Sequence, residues 1–310
     1  MKWVFKIKST GSFKARLVAL GFLQREGVDY FDSYSPVMSD VTMRLLIIYG
    51  LQMNLTISKL DIEAAFLEGR IKEDLYINFP NGMEYIDMVY KGKNAKLNRS
   101  IYGLVKTSRE LFKEVVNYIQ HTMKMNRCIT EPCILCNSKN TVFIVLYVDD
   151  ILIVGEKNEV VNFRKDIMKR FSVTYEDNIY DFLGCDINID RDKKEVLITQ
   201  RGVINNFKRY FGNEVKKMRK YSTPGEPNSH IVSPKNDDEC LSKTQQNKYQ
   251  SAVGSLMYLC KHSRPDLTNN VRDLSRCMKM ANKENYEALM RTVKYVLDTE
   301  DIGLKLGLIK

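Results

Sequence analysis

An apolar run over Val142–Val154 is interrupted by two adjacent aspartates, and this stretch constrains the fold more than any other. Residues 146–153 read LYVDDILI, with Asp149 and Asp150 in the middle. β-Branched and aliphatic residues on both sides of a short polar pair predict two strands joined by a tight turn. Carboxylates beside an apolar sheet are costly unless a cation neutralises them, and Mg²⁺ prefers one or two carboxylates plus phosphate oxygens. The pair therefore indicates a divalent metal site, with ordinary turn chemistry as the alternative.

Size and composition are those of a globular protein with one large multi-lobed domain or two smaller ones. The chain has 310 residues, 44% hydrophobic and 28% charged, which are ordinary proportions. No apolar run approaches the ~18–20 residues that span a bilayer, and residues 1–17 lack the apolar segment of a secretory signal. We therefore expect no membrane partner and an intracellular protein, cytoplasmic or nuclear, that is not secreted.

The charge balance suggests what the protein binds. A net charge of +10 is compatible with a polyanionic partner, although a solvated surface also carries charge. The basic residues form an early and a later group: Lys6, Lys8, Lys14 and Arg16, then Arg164, Lys165, Lys169, Arg170, Arg201, Lys208, Arg209, Lys216, Lys217, Arg219 and Lys220.

The seven cysteines are scattered, and their odd number in a chain without a signal indicates reduced thiols. Cys133 and Cys136 are spaced as in zinc sites, with Cys128 and His121 upstream. A second Cys-x-x-Cys or His pair is missing from this pattern, so zinc binding is only a weak alternative.

The apolar periodicity predicts strands and helices in irregular order. We expect a β-hairpin over 1–20 with its turn at 9–11, helices over 42–51, 108–125, 158–171 and within 248–297, strands over 55–60, 179–184 and 195–200, and a further short element over 62–67. Ser222–Asn247 contains three of the seven prolines and reads as a linker or long loop. Such an order favours an α+β fold with an antiparallel sheet over a doubly wound one.

A third carboxylate, Asp61, ends the strand predicted over residues 55–60. If that strand lies beside the Val142–Val154 hairpin, Asp61, Asp149 and Asp150 converge. Three acidic side chains on neighbouring strand ends can hold two Mg²⁺ ions about 3.5–4 Å apart, an arrangement that suits phosphoryl transfer. The alternative for Asp61 is a helix N-cap with Ala64 and Ala65 in the first turn.

Many ordered segments resemble the reverse transcriptase of copia-type long-terminal-repeat retrotransposons. They are KWVFKIK (2–8), KARLVALGFLQREGVDYFDSYSPV (14–37), TMRLLI (42–47), LDIEAAFLEGRIKEDLY (60–76), KLNRSIYGL (96–104), LYVDDILIVG (146–155), FLG (182–184), STP (222–224), VGSLMYL (253–259), SRPDL (263–267) and DIGL (301–304). Agreement over so many segments is a stronger signal than any single motif.

The resemblance implies a right-hand polymerase with fingers, palm and thumb around an antiparallel palm sheet. Residues 1–60 would form the fingers and the start of the palm, 61–200 the catalytic palm with a fingers insertion, 201–247 the start of the thumb and a linker, and 248–310 a helical thumb or connection region. The family's domain begins further upstream and continues into a ribonuclease H domain, so we expect an N-terminally truncated fingers region and no ribonuclease H domain here.

The resemblance also implies the metal ligands. Asp61 matches the first-motif aspartate, and Asp149 and Asp150 match the YVDD pair. Asp61 and Asp149 would be the main ligands of two Mg²⁺ ions, with the Ile62 carbonyl helping, and Mn²⁺ would substitute.

Further residues match nucleotide-binding positions. Phe66 matches the aromatic steric gate that would clash with a ribose 2′-hydroxyl, with core packing as the alternative. Lys14 and Arg16 match positions near the incoming triphosphate, with a solvated strand face as the alternative. Lys106 stands at the position of the family's glutamine that helps hold the nucleotide sugar.

The chain departs from the family's motifs at several positions. In the family's YGLKQA-x-R-x-W motif, Lys106 replaces the glutamine and Leu111 the tryptophan. Elsewhere Leu20 stands for a basic residue, Ala95 for a cysteine and Asn178 for a glycine.

The expected function is therefore an RNA-directed DNA polymerase fragment that adds deoxynucleoside triphosphates to a primed RNA or DNA template. The alternative is a catalytically impaired retroelement remnant that only binds nucleic acid. Adjacent aspartates at a hairpin tip cannot face opposite sides of a sugar ring, which excludes a carboxylate-pair glycosidase. A metal nuclease would leave the steric gate without a purpose. The location would be cytoplasmic, including virus-like particles, or nuclear, and no sequence feature indicates an oligomeric state.

Overall fold

A computed structural model describes residues 1–7, 11–227, 230–234 and 240–307. The chain divides into two compact units, Met1–Asn178 and Ile179–Lys310, and each has its own apolar core. The boundaries of fingers, palm and thumb expected from the sequence stay predictions. No described helix has the length and apolar character needed to cross a membrane.

The first unit is built on a six-stranded sheet in the order β10-β3-β9-β8-β7-β6, in which every neighbouring pair is antiparallel. Its elements are β1 (Lys2–Ile7), β2 (Phe13–Val18), α1 (Asp40–Gln52), β3 (Thr56–Ile62), β4 (Tyr76–Asn78), β5 (Asn94–Lys96), α2 (Thr107–Asn117), β6 (Asn126–Arg127), β7 (Ile134–Cys136), β8 (Val142–Tyr147), β9 (Asp150–Gly155), α3 (Lys157–Ile167) and β10 (Val173–Glu176). The predicted α+β class with an antiparallel sheet is confirmed.

The two faces of this sheet are covered differently. On one face, residues of β3 and β9 such as Leu60 and Ile151 pack with α2 and α3 into the core. On the other face, α1 covers the far end of β3 and β9. Gly50 permits this close approach, because a Cβ there would lie 2.6 Å from Val154 Cγ1. Asp61 and Asp150 lie at the opposite end of that second face, and both are half-buried.

The β8–β9 hairpin turns through Val148 and Asp149, between the paired residues Tyr147 and Asp150. Val148 has φ +56°, a region that a β-branched residue rarely adopts. A positive φ at the first central residue alone is the pattern of a type II′ turn, which favours glycine at that position. The turn that carries the aspartates is therefore strained.

The β1–β2 hairpin has one apolar and one basic face. Cross-strand pairs Trp3–Leu17, Phe5–Ala15 and Ile7–Phe13 alternate with pairs that include Lys6–Lys14 and Val4–Arg16. Because neighbouring residues of a strand point to opposite faces, Lys14 and Arg16 share one face. The hairpin confirms the prediction over residues 1–20, and residues 9 and 10 of its predicted turn lie outside the described residues.

The second unit combines a four-stranded antiparallel sheet, in the order β11-β12-β13-β14, with four helices. Its elements are β11 (Asp181–Phe182), β12 (Cys185–Asp190), β13 (Glu195–Thr199), α4 (Arg201–Val215), α5 (Lys243–His262), α6 (Thr268–Arg276), α7 (Lys283–Asp298) and β14 (Leu304–Gly307). The helices enclose an apolar core. Arg264 is fully buried. It donates two hydrogen bonds to Asp266 and another to the Thr299 carbonyl at 3.0 Å.

Most predicted elements are present, and three local differences follow. The helix predicted over 108–125 ends at Asn117 and continues as a single π-turn over Tyr118–Thr122. The element predicted over 62–67 is only a 3₁₀ turn, Ala65–Leu67. The N-cap alternative for Asp61 is wrong, because Asp61 lies within β3 and the turn is preceded by Ala64.

Replacing Val148 with glycine tests the strain in the turn. Glycine adopts positive φ freely, which removes about 1–2 kcal/mol of strain, while its greater freedom in the unfolded chain costs about 0.5–1 kcal/mol. We expect Val148→Gly to leave the free energy of unfolding unchanged or to raise it by up to about 1 kcal/mol, measured by urea unfolding. The matched control, Val161→Gly within α3, lowers it by about 0.5–1 kcal/mol. A loss larger than about 1 kcal/mol at residue 148 would contradict this turn geometry.

Candidate active site

The structure brings together the three aspartates singled out from the sequence. Asp61 of β3 is paired in register with Asp150 of β9, so their side chains lie on the same face of the sheet. Asp149 precedes Asp150 in the turn, and its carbonyl oxygen accepts a hydrogen bond from the Ile62 amide at 3.1 Å. That bond fastens the turn to the end of β3. The Ile62 side chain is buried on the core side.

The electrostatics of this cluster favour a cation. Burial raises the pKa of Asp61, and the Asp149 charge raises it further. Burial likewise raises the pKa of Asp150, to which the charges of Asp149 and Asp61 add, against a lowering by Lys59. Carboxylates whose ionised forms repel each other in a half-buried place gain most from positive charge nearby.

The cluster fits a divalent ion as a partial ligand set. Within the described ranges, no three His, Cys, Asp or Glu side chains stand close enough to hold a metal on their own, the aspartates included. Mg²⁺ needs only one or two carboxylates and completes its shell with water and substrate phosphates. Oxygen ligands from adjacent strands therefore suit Mg²⁺ or Mn²⁺ together with a phosphate-bearing ligand.

A lysine also lies in the cluster. The Lys59 Nζ is 3.6 Å from Asp150 Oδ1. Lys59 precedes Asp61 by two residues on β3 and therefore shares its face. Lys59 was not predicted as a site residue, although the two-residue period of the strand places it on the same face as Asp61.

The basic residues of β2 reach the same region. The positive charge of Lys14 lowers the pKa of Asp61, which places Lys14 near that carboxylate. The Arg16 guanidinium lies 5.0 Å from the centroid of the Tyr102 ring. That ring in turn meets the Phe66 ring edge-on, with centroids 5.0 Å apart. Arg16, Tyr102 and Phe66 thus form a continuous chain of contacts.

Tyr102 belongs to a segment that is fastened to β2. Its carbonyl accepts a hydrogen bond from the Ala19 amide at 2.7 Å. Gly103 follows with φ +91°, and a Cβ there would lie 2.3 Å from the Ala19 carbonyl oxygen. Only glycine permits this close approach at that backbone conformation. The position of Tyr102 between Arg16 and Phe66 was not predicted, although Tyr102 belongs to the YGL segment that resembles the family.

Phe66 and Lys106 are both engaged in local contacts. Phe66 is half-buried against the core, which agrees with the packing alternative as well as with a steric gate. The Lys106 ammonium is paired with Glu73 and lies 3.8 Å from Glu110. Its hydrogen bond is the main cause that lowers the pKa of Glu73. Two carboxylates thus compensate the charge that stands where the family has an uncharged glutamine.

The cysteines do not form the zinc site left open by the sequence. Cys133 is buried, and burial raises the pKa of its thiol to about 11. In the described part of the chain, no metal-binding group of cysteines and histidines is present.

Comparison with known proteins places these residues in a family. The sequence profile of the reverse transcriptase (RNA-dependent DNA polymerase) family matches residues 1–218. Among curated relatives, the chain is 32% identical over 98% of its length to the retrovirus-related Pol polyprotein from transposon RE1 of Arabidopsis thaliana, and covers 20% of it. It is 30% identical over 96% of its length to the corresponding polyprotein from transposon TNT 1-94 of Nicotiana tabacum, and covers 23% of it.

More distant relatives give the same result. The chain is 26% identical over 96% of its length to the transposon Ty1-DR4 Gag-Pol polyprotein of Saccharomyces cerevisiae, and covers 19% of it. It spans about a fifth of the length of these curated relatives. A solved telomerase from Candida albicans, in complex with a telomeric RNA fragment, aligns with 97% of this chain and 61% of its own at 12% identity. Its TM-score of 0.33 is too low to carry an argument.

The matched profile covers more than half of the chain and includes all three aspartates, and the relatives align with nearly all of it. The chain therefore belongs to the reverse transcriptase (RNA-dependent DNA polymerase) family, in the form found in copia-type retrotransposon Pol polyproteins.

Proposed function

We propose that this chain is an RNA-directed DNA polymerase, which transfers deoxynucleotides onto a primed template by two-metal catalysis. One observation carries the proposal: Asp61 is paired with Asp150 across β3 and β9, next to the turn that contains Asp149. The resemblance to the copia-type enzymes assigns the same three residues to catalysis. A right-hand arrangement of fingers, palm and thumb belongs to the proposal as well.

Asp61 and Asp149 act as the main ligands, and the Ile62 carbonyl adds an oxygen at the end of β3. Two Mg²⁺ ions, when bound, favour the ionised primer hydroxyl and neutralise the triphosphate and the leaving oxygen, and Mn²⁺ substitutes for them. The protein contributes a fixed set of oxygens, because both β3 and β9 are central strands of a packed sheet. Such a rigid base limits the reorganisation needed at the moment of reaction.

Lys14 and Arg16 supply positive charge to the triphosphate. Both lie on the basic face of the β1–β2 hairpin, and the Lys14 charge already acts on Asp61. Phe66 excludes a ribose 2′-hydroxyl, and the edge-on contact with Tyr102 holds its ring. Arg16 on the other side of Tyr102 links phosphate binding to sugar selection.

The template is RNA or DNA with a primer, held largely through phosphate contacts of basic residues. The protein acts in the cytoplasm, including virus-like particles, or in the nucleus. The chain matches about a fifth of the length of its curated polyprotein relatives.

A second candidate is a remnant that binds nucleic acid without catalysis. One observation favours it: Lys106, at the position of the nucleotide-binding glutamine, is paired with Glu73 and lies 3.8 Å from Glu110. A nucleotide that used this side chain would have to displace two carboxylates. Both candidate functions include binding of nucleic acid, but only the polymerase extends a primer.

Substituting the aspartate pair separates the two candidates. We expect the double variant Asp149→Asn, Asp150→Asn to lose at least about 10³-fold of primer extension, because it removes the carboxylates that bind metal. Binding of primer–template remains or rises, because less negative charge faces the phosphates. Extension is measured on a 5′-labelled primer with Mg²⁺ or Mn²⁺, and binding by fluorescence anisotropy at several salt concentrations.

The matched control is Asp192→Asn, which changes one exposed carboxylate in the turn before β13 and leaves both quantities unchanged. A folded wild-type protein that binds primer–template but does not extend it with either ion would contradict the polymerase proposal and support the remnant.

Phe66→Val tests sugar selection against simple packing. If the ring excludes the 2′-hydroxyl, the smaller side chain raises ribonucleotide incorporation relative to deoxynucleotide by about tenfold or more. If Phe66 only fills the core, stability falls and the ratio stays constant. Single-nucleotide incorporation gives the ratio, and Phe112→Val is the control, because Phe112 also packs against this core. An unchanged ratio in Phe66→Val, with extension retained, would refute the steric gate.

A further inference from the structure

Lys59 is a cation that the fold itself places among the aspartates. It lies on central strand β3, in register with Leu152 of β9 and Glu176 of β10. Its side chain is 17% exposed, so the stem is largely packed while the ammonium reaches the open end of the sheet face. The backbone of Lys59 is therefore held by paired strands on both sides.

The ammonium lies where the cluster most needs positive charge. Lys59 Nζ is 3.6 Å from Asp150 Oδ1, and the Asp150 side chain is 24% exposed. Lys59 acts on Asp61 as well as on Asp150, and it is the largest favourable charge for both. Lys14 also acts on Asp61, but it reaches the cluster from the separate β1–β2 hairpin. Lys59 is thus built into the same sheet as the carboxylates, on the strand that carries Asp61.

We propose that Lys59 is an internal counter-cation, which holds Asp150 and competes with divalent ions for it, so that Lys59 sets the metal affinity of the aspartate cluster. Asp61 and Asp149 are then left as the ligands, and Asp150 joins them only when the ammonium moves aside. This inference rests on the proposed metal site. It makes Lys59 a positioning residue that acts through Asp150.

The direction in which Lys59 changes the metal affinity follows from its charge alone. A fixed positive charge beside a carboxylate attracts it in the metal-free protein and repels a divalent ion that approaches the same carboxylate. Solvent at the half-exposed cluster screens both interactions, so the effect is moderate. Removing the ammonium therefore tightens metal binding, whereas removal of a group that only supports the fold would weaken it.

The test measures Mn²⁺ binding by the full-length chain, from the electron paramagnetic resonance signal of free Mn²⁺. We expect Lys59→Gln to bind Mn²⁺ about tenfold more tightly than the wild type. Replacing EDTA with Mn²⁺ also raises the melting temperature of Lys59→Gln by more than it raises that of the wild type, because tighter ligand binding stabilises the folded state more. Lys59→Arg keeps the charge and retains the wild-type affinity. Lys165→Gln, on the exposed face of α3, makes the same change in net charge and leaves the affinity unchanged.

A second comparison asks whether Lys59 acts through Asp150. In an Asp150→Asn background, Lys59→Gln is expected to lose most of its effect on Mn²⁺ affinity, since the two residues are coupled. Equal or weaker Mn²⁺ binding by Lys59→Gln overturns the inference, as does a full effect in the Asp150→Asn background. If Asp61→Asn leaves wild-type Mn²⁺ binding unchanged, the ion is not at the cluster, and the proposed metal site fails together with the role of Lys59. Loss of Mn²⁺ binding in Asp61→Asn, with no effect of Lys59→Gln, refutes only the role of Lys59.

Discussion

The antiparallel pairing of β3 with β9 is the constraint on which the rest of the site depends. It sets Asp61 opposite Asp150, and the bond from the Ile62 amide brings Asp149 alongside. A slip of β3 by one residue would turn Asp61 away from Asp150, to the face that packs against α2 and α3. The register is held by the buried residues of the other face, among them Leu60 and Ile151, which cannot be exposed without a large loss of apolar burial. The apolar core thus fixes the position of the charged groups.

Positive charge reaches the aspartates in two different ways. Lys59 comes from the sheet itself, whereas Lys14 comes from the basic face of a two-stranded hairpin. A two-stranded ribbon has little stability of its own, and the bond between Ala19 and Tyr102 ties this one to the rest of the first unit. The charge within the sheet is therefore held by more strands than the charge on the hairpin. That division agrees with a site that must bind and release a triphosphate.

Features set by neighbouring residues in the sequence were predictable, whereas several features set by contacts between distant residues were not. The β8–β9 hairpin was predictable, because Asp149 and Asp150 interrupt a β-branched run, and so was the two-faced β1–β2 hairpin. The state of Asp61 was undecided between strand end and N-cap, because its pairing partner lies far along the chain. Strand β12 was missed although its residues alternate between apolar and polar in the sequence CDINID, and the π-turn after α2 was missed because it has no distinct period. Glu73 was missed because an ion pair with Lys106 depends on tertiary contact. Family resemblance supplied the roles that spacing alone left open.

The proposed function requires that Asp61, Asp149 and Asp150 form one centre for two divalent ions. Anomalous diffraction from crystals grown with Mn²⁺, primer–template and a non-hydrolysable deoxynucleoside triphosphate tests it most directly. We expect two manganese peaks about 3.5–4 Å apart, both in contact with the aspartates, with the Lys59 ammonium displaced from any Asp150 oxygen that binds metal. Manganese peaks elsewhere in the molecule, with none at the aspartates, would contradict it.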